Sequence, residues 1–291
     1  MAFINRKTSE IQIKIVYAGP AGSGKSASLS WIHRRFPGCF ASRLLRVRAA
    51  GEKTVFFDFA ALSLPQAAGF RLNVRLYTLP GDERFDDTAR LVLRGVDGIV
   101  FVADAAAMRK TNILALKRLA SALAAAGRSL ERLPLVFQLN KYDLLAAGSL
   151  LLPAATLAAD LDPGLRRPYW VTSAARGKNL LPPLLHLIHL AAAALEGQAR
   201  RRFPGLGLEG FAAAVKEHLR RCFPPVDEKR SRPATRSPGR QDAAAARAGL
   251  ESRAYFLIPV ERFEELLAAV QRGAAALARI AQAMGKEAER R

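Results

Sequence analysis

The sequence predicts an α/β protein: a six-stranded, mostly parallel sheet with one antiparallel hairpin strand, helices on both faces, and a helical C-terminal extension. Three observations predict it. Between Ile11 and Leu195, short apolar runs alternate with stretches of helical periodicity, the pattern of a sheet covered on both faces. A glycine-rich segment, GPAGSGKS (19–26), stands between the first apolar run and the first helical stretch. After Gly197 the alternation gives way to basic, turn-rich sequence.

The strands are expected at IQIKIVYAG (11–19), KTVFFDFA (53–60), FRLNVRLYTL (70–79), GIVFVAD (98–104), LPLVFQLN (133–140) and PYWVTSA (168–174). The second and third are joined by a Pro- and Gly-containing segment too short for a crossover helix, so they form the antiparallel hairpin. Helices are expected over 25–35, 83–93, 108–126 and 179–195. Beyond them FAAAVKEHLRRCF (211–223) reads as a short amphipathic helix, and 224–249 has the Pro, Arg and Ser content of a disordered linker. The 250–291 segment ends the chain with an amphipathic helix, in which Phe263, Leu266, Leu267, Val270, Ala274 and Leu277 recur at three- and four-residue intervals after Pro259.

Composition narrows the classes. The chain of 291 residues carries a net charge of +20, but Arg and Lys are spread along it and form no single basic stripe, which argues against nucleic acid as a partner. The two cysteines, Cys39 and Cys222, lie far apart and in no ligand or redox spacing, so no disulfide framework is expected. The first ten residues lack the apolar run of a signal peptide, and a cytoplasmic location is expected. The basic helix at 211–223 also suits a peripheral contact between the C-terminal extension and an anionic membrane surface.

The chemistry starts at residues 19–26. GPAGSGKS matches the full Walker A pattern and has the context that pattern needs, a strand before it and a helix after it. Backbone N–H groups of Gly19, Ala21, Gly22, Ser23 and Gly24, with those of Lys25, Ser26 and Ala27 at the helix start, can converge on phosphate oxygens. Lys25 adds a point charge, and the Ser26 hydroxyl can ligate magnesium. NKYD (Asn140, Lys141, Tyr142, Asp143) follows the fifth strand, at the end where open α/β sheets bind ligands. A carboxylate at Asp143 can accept from the ring N–H and the exocyclic amine of guanine, which selects GTP over ATP, while the Lys141 stem can lie across the base. TSA (Thr172, Ser173, Ala174) closes the sixth strand and would let the Ala174 backbone approach the guanine carbonyl, with an ordinary strand-to-loop turn as the equal alternative.

With these motifs, MAFIN (1–5), KTVFFDF (53–59), LYTLPGDERFDD (76–87) and LVLRGVDGIVFVAD (91–104), the chain resembles the small GTPases, and within them the bacterial gliding-motility and polarity GTPases of the MglA type. The resemblance covers residues 1–196, which it makes a P-loop GTPase domain, with 197–223 a basic short-helix segment. It implies a switch that binds GTP with Mg2+ and hydrolyses it to GDP. It implies that Thr54 closes over magnesium and the γ-phosphate, that Gly81 reports the γ-phosphate, and that a roadblock-fold partner of the MglB kind stimulates hydrolysis. Thr78 stands where ordinary small GTPases carry an Asp, as in the MglA type. Asp58 is a candidate substitute on the magnesium side, with a plain strand residue as the equal alternative.

Three positions depart from the family: Asp82 stands for Gln, Lys53 for Arg and Ala21 for Gly. An ionised Asp adds negative charge beside a group that gains charge in transit, and Lys lacks the planar fork that grips two phosphate oxygens. Ala21 puts a methyl where the loop must admit that finger. Asp82, Lys53 and Thr54 are therefore the catalytic candidates of a slow GTPase. A pseudo-GTPase scaffold is the first alternative, and a P-loop ATPase or nucleotide kinase, which NKYD contradicts, the second. Because the nucleotide motifs end before Leu195, a chain stopping near Gly197 is expected to fold and bind GTP.

Overall fold

The computed structural model describes residues 3–40, 44–50, 55–81, 86–148, 151–164, 166–224 and 256–259. Its strands are β1 (Phe3–Asn5), β2 (Glu10–Ala18), β3 (Leu45–Ala50), β4 (Val55–Ala67), β5 (Phe70–Thr78), β6 (Gly98–Asp104), β7 (Leu135–Asn140), β8 (Tyr169–Val171) and β9 (Phe256–Pro259). They form one sheet in the order β8-β7-β6-β2-β5-β4-β3-β9, with β1 paired on β2. The P-loop GTPase architecture is there: β5, β2, β6, β7 and β8 are parallel neighbours, and β4 runs antiparallel to β5. All residues of β6 and β7 are buried, which is why their sequences read as unbroken apolar runs: both faces are covered.

The six expected strands are present, and β1, β3 and β9 add to them. β4 is longer than expected. It continues through Pro65, where the register against β5 shifts between Leu64 and Gln66, as an imino acid with no N–H requires. The hairpin then closes on Ala68 and Gly69, both at positive φ, the combination a two-residue turn with the strands' own twist needs.

Helices α1 (Lys25–Arg35), α2 (Asp86–Leu93), α3 (Arg109–Ala125), α4 (Ala154–Leu161), α5 (Leu181–Arg202) and α6 (Phe211–Cys222) cover the two faces. One core lies under α2, α3 and α4, around Val92, Leu119, Leu123 and Leu157. The other lies under α1, α5 and α6, around Leu29, Ile32, Leu187 and Phe211. The eight-residue α4 was not expected from sequence. The helix expected at 250–291 and the linker at 224–249 lie outside the described residues, apart from β9 and Pro224.

The 197–223 segment differs most from the sequence expectation. Helix α5 runs through Gly197 to Arg202 without a break. Phe211, Val215, Leu219 and Phe223, each at most 3% exposed, pack α6 into the same core as α1 and α5. The Glu196 carboxylate of α5 accepts from the N–H groups of Gly210 and Ala212, both at 3.0 Å, so an anion of one helix caps the positive end of the next. Arg220 and Arg221 in the last turn of α6 remain exposed and pair with Glu217 on the same helix.

Candidate nucleotide-binding site

The loop Gly19–Gly24 leaves the C-terminal end of β2 and turns into α1. Gly24 sits at φ 100 as the residue before the helix. A side chain there would overlap the side-chain nitrogen of Asn140, so glycine is needed for close approach as well as for backbone geometry. Ala21, Gly22, Ser26 and Ala27 face solvent at the mouth of the loop, whereas Ser23 is fully buried. Lys25 is buried and donates to the carbonyls of Gly19 at 2.9 Å and Pro20 at 2.7 Å, which bends its ammonium back over the loop. Burial lowers its pKa to about 8, and the Asp104 carboxylate offsets part of that shift.

Asn140 is the organising residue. It ends β7, is 1% exposed, and uses both halves of its amide. Its Nδ2 donates to the Ser23 carbonyl at 2.7 Å; its Oδ1 accepts from the Ala174 N–H at 2.8 Å and the Thr172 hydroxyl at 3.2 Å. The phosphate-type loop, the NKYD segment and the TSA segment are thereby tied to one another through one side chain. The TSA loop is closed on itself by paired backbone bonds between Ser173 and Lys178, and by the Ser173 hydroxyl, which accepts from the Arg176 N–H at 3.0 Å.

Lys141 has φ 76, a conformation that costs a non-glycine residue on the order of 1–3 kcal/mol. Two contacts hold this stretch: the Lys141 ammonium lies 2.5 Å from the Asp104 carboxylate, and the neighbouring Tyr142 N–H donates to the Thr172 carbonyl at 3.3 Å. Asp104 ends β6, with its own backbone paired both ways to the buried Asn112 amide. Sequence reasoning missed Asp104 as the partner that aims Lys141, although its place at the end of an apolar strand beside the expected site was the available signal. Asp143 follows in a half-buried 3-10 turn that begins at Tyr142.

A second missed element joins α1 to β7. Gln138, fully buried, donates from Nε2 to the Ser28 hydroxyl at 2.7 Å, which donates to the Gly24 carbonyl at 2.9 Å. On the other side of the loop, Gly81 lies so close that a Cβ would overlap the backbone of Pro20 and Ala21. Of the sequence candidates, the structure brings together the 19–27 loop, Gly81, Asn140, Lys141, Ser173 and Ala174. Asp82, Lys53 and Thr54 lie outside the described residues. Asp58 is on β4, in register with Arg46 of β3.

The geometry is that of a nucleotide site: a loop with converging N–H groups at a helix start, a buried cation over it, and two side loops pinned to it. Over 145 residues the chain is 41% identical to the mutual gliding-motility protein MglA of Myxococcus xanthus (strain DK1622), a match covering 50% of this chain and 74% of that protein. No protein-family model matches the chain. Among the described residues, no helix is long and apolar enough to cross a membrane.

Proposed function

Because this chain belongs to the MglA family of small GTPases, we propose that it is a guanine-nucleotide switch that holds GTP with magnesium and hydrolyses it slowly. The observation that carries this reading is the Asn140 amide, which joins the loop suited to phosphates to the loops suited to guanine. Two further features support the reading: Gly24 and Gly81 let the loop close against Asn140, Pro20 and Ala21 with no room for a Cβ, and Ser26 is exposed at the start of α1. Ser26 and Thr54 would hold magnesium, which when bound neutralises phosphate charge. Lys25 supplies a cation to the phosphates, Asp143 accepts from guanine, and Asp82 stands in the water-positioning place. A roadblock-fold partner of the MglB kind is the proposed stimulator of hydrolysis, in the cytoplasm.

Asp143→Asn is expected to weaken GTP binding by about 1–3 kcal/mol, the scale of hydrogen bonds with a charged partner, and to relax discrimination against ATP. Competition titrations with GTP and ATP check it, and unchanged selectivity would remove the guanine assignment.

Protonation of Lys25 gives a second expectation. In the free protein its pKa is about 8, and bound phosphates favour the charged form, so binding takes up a proton where the free group has lost it. Raising pH through 8 therefore weakens binding, and between pH 7 and 8.5 the affinity should fall roughly fourfold, the change in protonated fraction of one such group. Calorimetry in buffers of different ionisation enthalpy should read about half a proton taken up at pH 8; no uptake would place Lys25 away from the phosphates.

Asp82 favours a second reading, a pseudo-GTPase scaffold that keeps its nucleotide. Phosphate release from the purified protein, with and without a roadblock partner, separates the two. Asp82→Gln, alone or with Lys53→Arg and Ala21→Gly, is expected to raise turnover at nearly unchanged GTP affinity. If the unmodified protein is the faster, Asp82 is itself the group that orients water.

A further inference from the structure

Cys39 and Cys222 are the chain's two cysteines, and the fold brings them together across 183 positions of sequence. The Cys39 thiol donates to the Cys222 carbonyl oxygen at 3.2 Å. Both thiols are free and half-buried, packed on the core shared by α1, α5 and α6. Their backbones are held from both sides. Cys39 ends the 3-10 turn Pro37–Cys39 that follows α1, and Cys222 is the last residue of α6. The neighbouring rings of Phe36 and Phe223 meet edge to face, 5.0 Å between centroids. Burial first, and then the adjacent Cys222 thiol, raise the pKa of Cys39, so at neutral pH it is an S–H donor. The Cys39 thiol thus lies reduced against the Cys222 backbone, with the Cys222 thiol near enough to act on its protonation.

We propose that Cys39 and Cys222 form a reversible intramolecular disulfide, a redox modification site that clips the end of α6 to the end of α1, with a low-molecular-weight disulfide as the oxidant. Cys222, the thiol that is not donating in the pair, loses its proton and attacks one sulfur of the oxidant. The oxidant's S–S bond breaks, and one small thiolate leaves and is protonated. Cys39 then gives up its proton and attacks the Cys222 sulfur of the mixed disulfide, forming the Cys39–Cys222 bond and releasing the second small thiol. Two protein thiols have lost two electrons, the oxidant's disulfide has gained them, and the two protons end on the small thiols. The raised pKa of Cys39 makes the second step slow at neutral pH and faster in mild alkali. In a reducing compartment the thiols stay open, so the site reports a shift of the thiol poise and is not a standing structural bond.

The clip would act on a particular joint. The turn it anchors connects α1, which carries Lys25 and Ser26, to the stretch that leads into β3, and α6 covers the core beneath that joint. Closing a loop of this length restricts the unfolded chain strongly. The proposal is independent of the nucleotide reading.

The test uses the full chain, reduced and then equilibrated with mixtures of oxidised and reduced glutathione. Non-reducing peptide mass mapping should recover one peptide pair joining residue 39 to residue 222, on a monomeric protein that has lost two hydrogen atoms. The folded chain should become half oxidised at a glutathione ratio at least about a hundredfold more reducing than the same chain in urea, because packing raises the effective concentration of one thiol at the other. Its unfolding midpoint should rise by about 5–10 °C on oxidation, and Cys39→Ser and Cys222→Ser should each remove that shift. Glutathione adducts on both cysteines, a disulfide-linked dimer as the main product, or equal ratios for folded and unfolded chain would each overturn the proposal.

Discussion

Asn140→Ala should weaken GTP binding by about thirtyfold or more, through loops that keep their own sequence. The substitution removes a donor from the Ser23 carbonyl and an acceptor from the Ala174 N–H. The Thr172 hydroxyl loses one of two partners and keeps the Leu139 carbonyl at 3.2 Å. Two buried groups left without partners cost on the order of 2–5 kcal/mol together. The cost falls on the alignment of the 19–27 loop with the NKYD and TSA loops, and so on the ligand that needs all three at once. A drop of that size in binding free energy is a factor of about thirty to several thousand in Kd. Titration with a fluorescent GTP analogue reads it, and urea unfolding of the free protein should show a smaller loss from the same orphaned groups. Affinity within threefold of the unmodified protein would mean that the Asn140 amide is incidental to the site. Asn140→Asp sharpens the comparison, because it keeps an acceptor for Ala174 but turns an oxygen toward the Ser23 carbonyl.

A chain ended after Gly197 should fail to fold stably, whereas one ended after Pro224 should fold and bind nucleotide. This reverses the expectation from motif order alone. The shorter chain keeps the 19–27, NKYD and TSA loops, yet it loses Ala199, Leu208, Phe211, Val215, Leu219 and Phe223 from the core. Burying a large apolar side chain contributes about 1.5–3 kcal/mol, so the loss is on the order of 10 kcal/mol as an upper figure, comparable with the 5–15 kcal/mol that holds a typical domain together. It also takes α6 out of the cluster that it shares with Leu187, Ile188 and Ala192 of α5. The Glu196 carboxylate would be left with nothing to cap. Soluble yield and cooperative thermal unfolding of the two chains decide the matter. A well-folded chain ending at Gly197 would show that α6 rests on a finished domain.

The sequence by itself determined the parts of this protein whose physics is local. GPAGSGKS announces a strand-loop-helix with converging N–H groups, because glycines in that spacing and a following helix need no distant partner to take shape. The helix begins at Lys25 and ends at Arg35, as its pattern says. The unbroken apolar runs of β6 and β7 follow from burial on both faces, and NKYD falls at the end of β7 where the ligand crevice must be. The identity of the departures at Asp82, Lys53 and Ala21 is likewise a matter of sequence alone.

Tertiary structure decided whatever depends on pairing between distant segments. β3 and β9 are defined by each other and by β4, so neither is visible in its own few residues. Asn140 reads as a member of a four-residue string, and only the fold shows that its amide ties its own segment to the 19–27 loop, through Ser23 117 positions away, and to the TSA segment, through Ala174 and Thr172 34 and 32 positions away. Asp104 becomes the partner of Lys141 only when β6 and β7 lie side by side. Cys39 and Cys222 have no meaningful spacing until α6 folds back onto the end of α1. The end of the folded unit, too, was set by packing: motif order stops before Leu195, but Phe211, Val215, Leu219 and Phe223 lie buried in the core that α1 and α5 share.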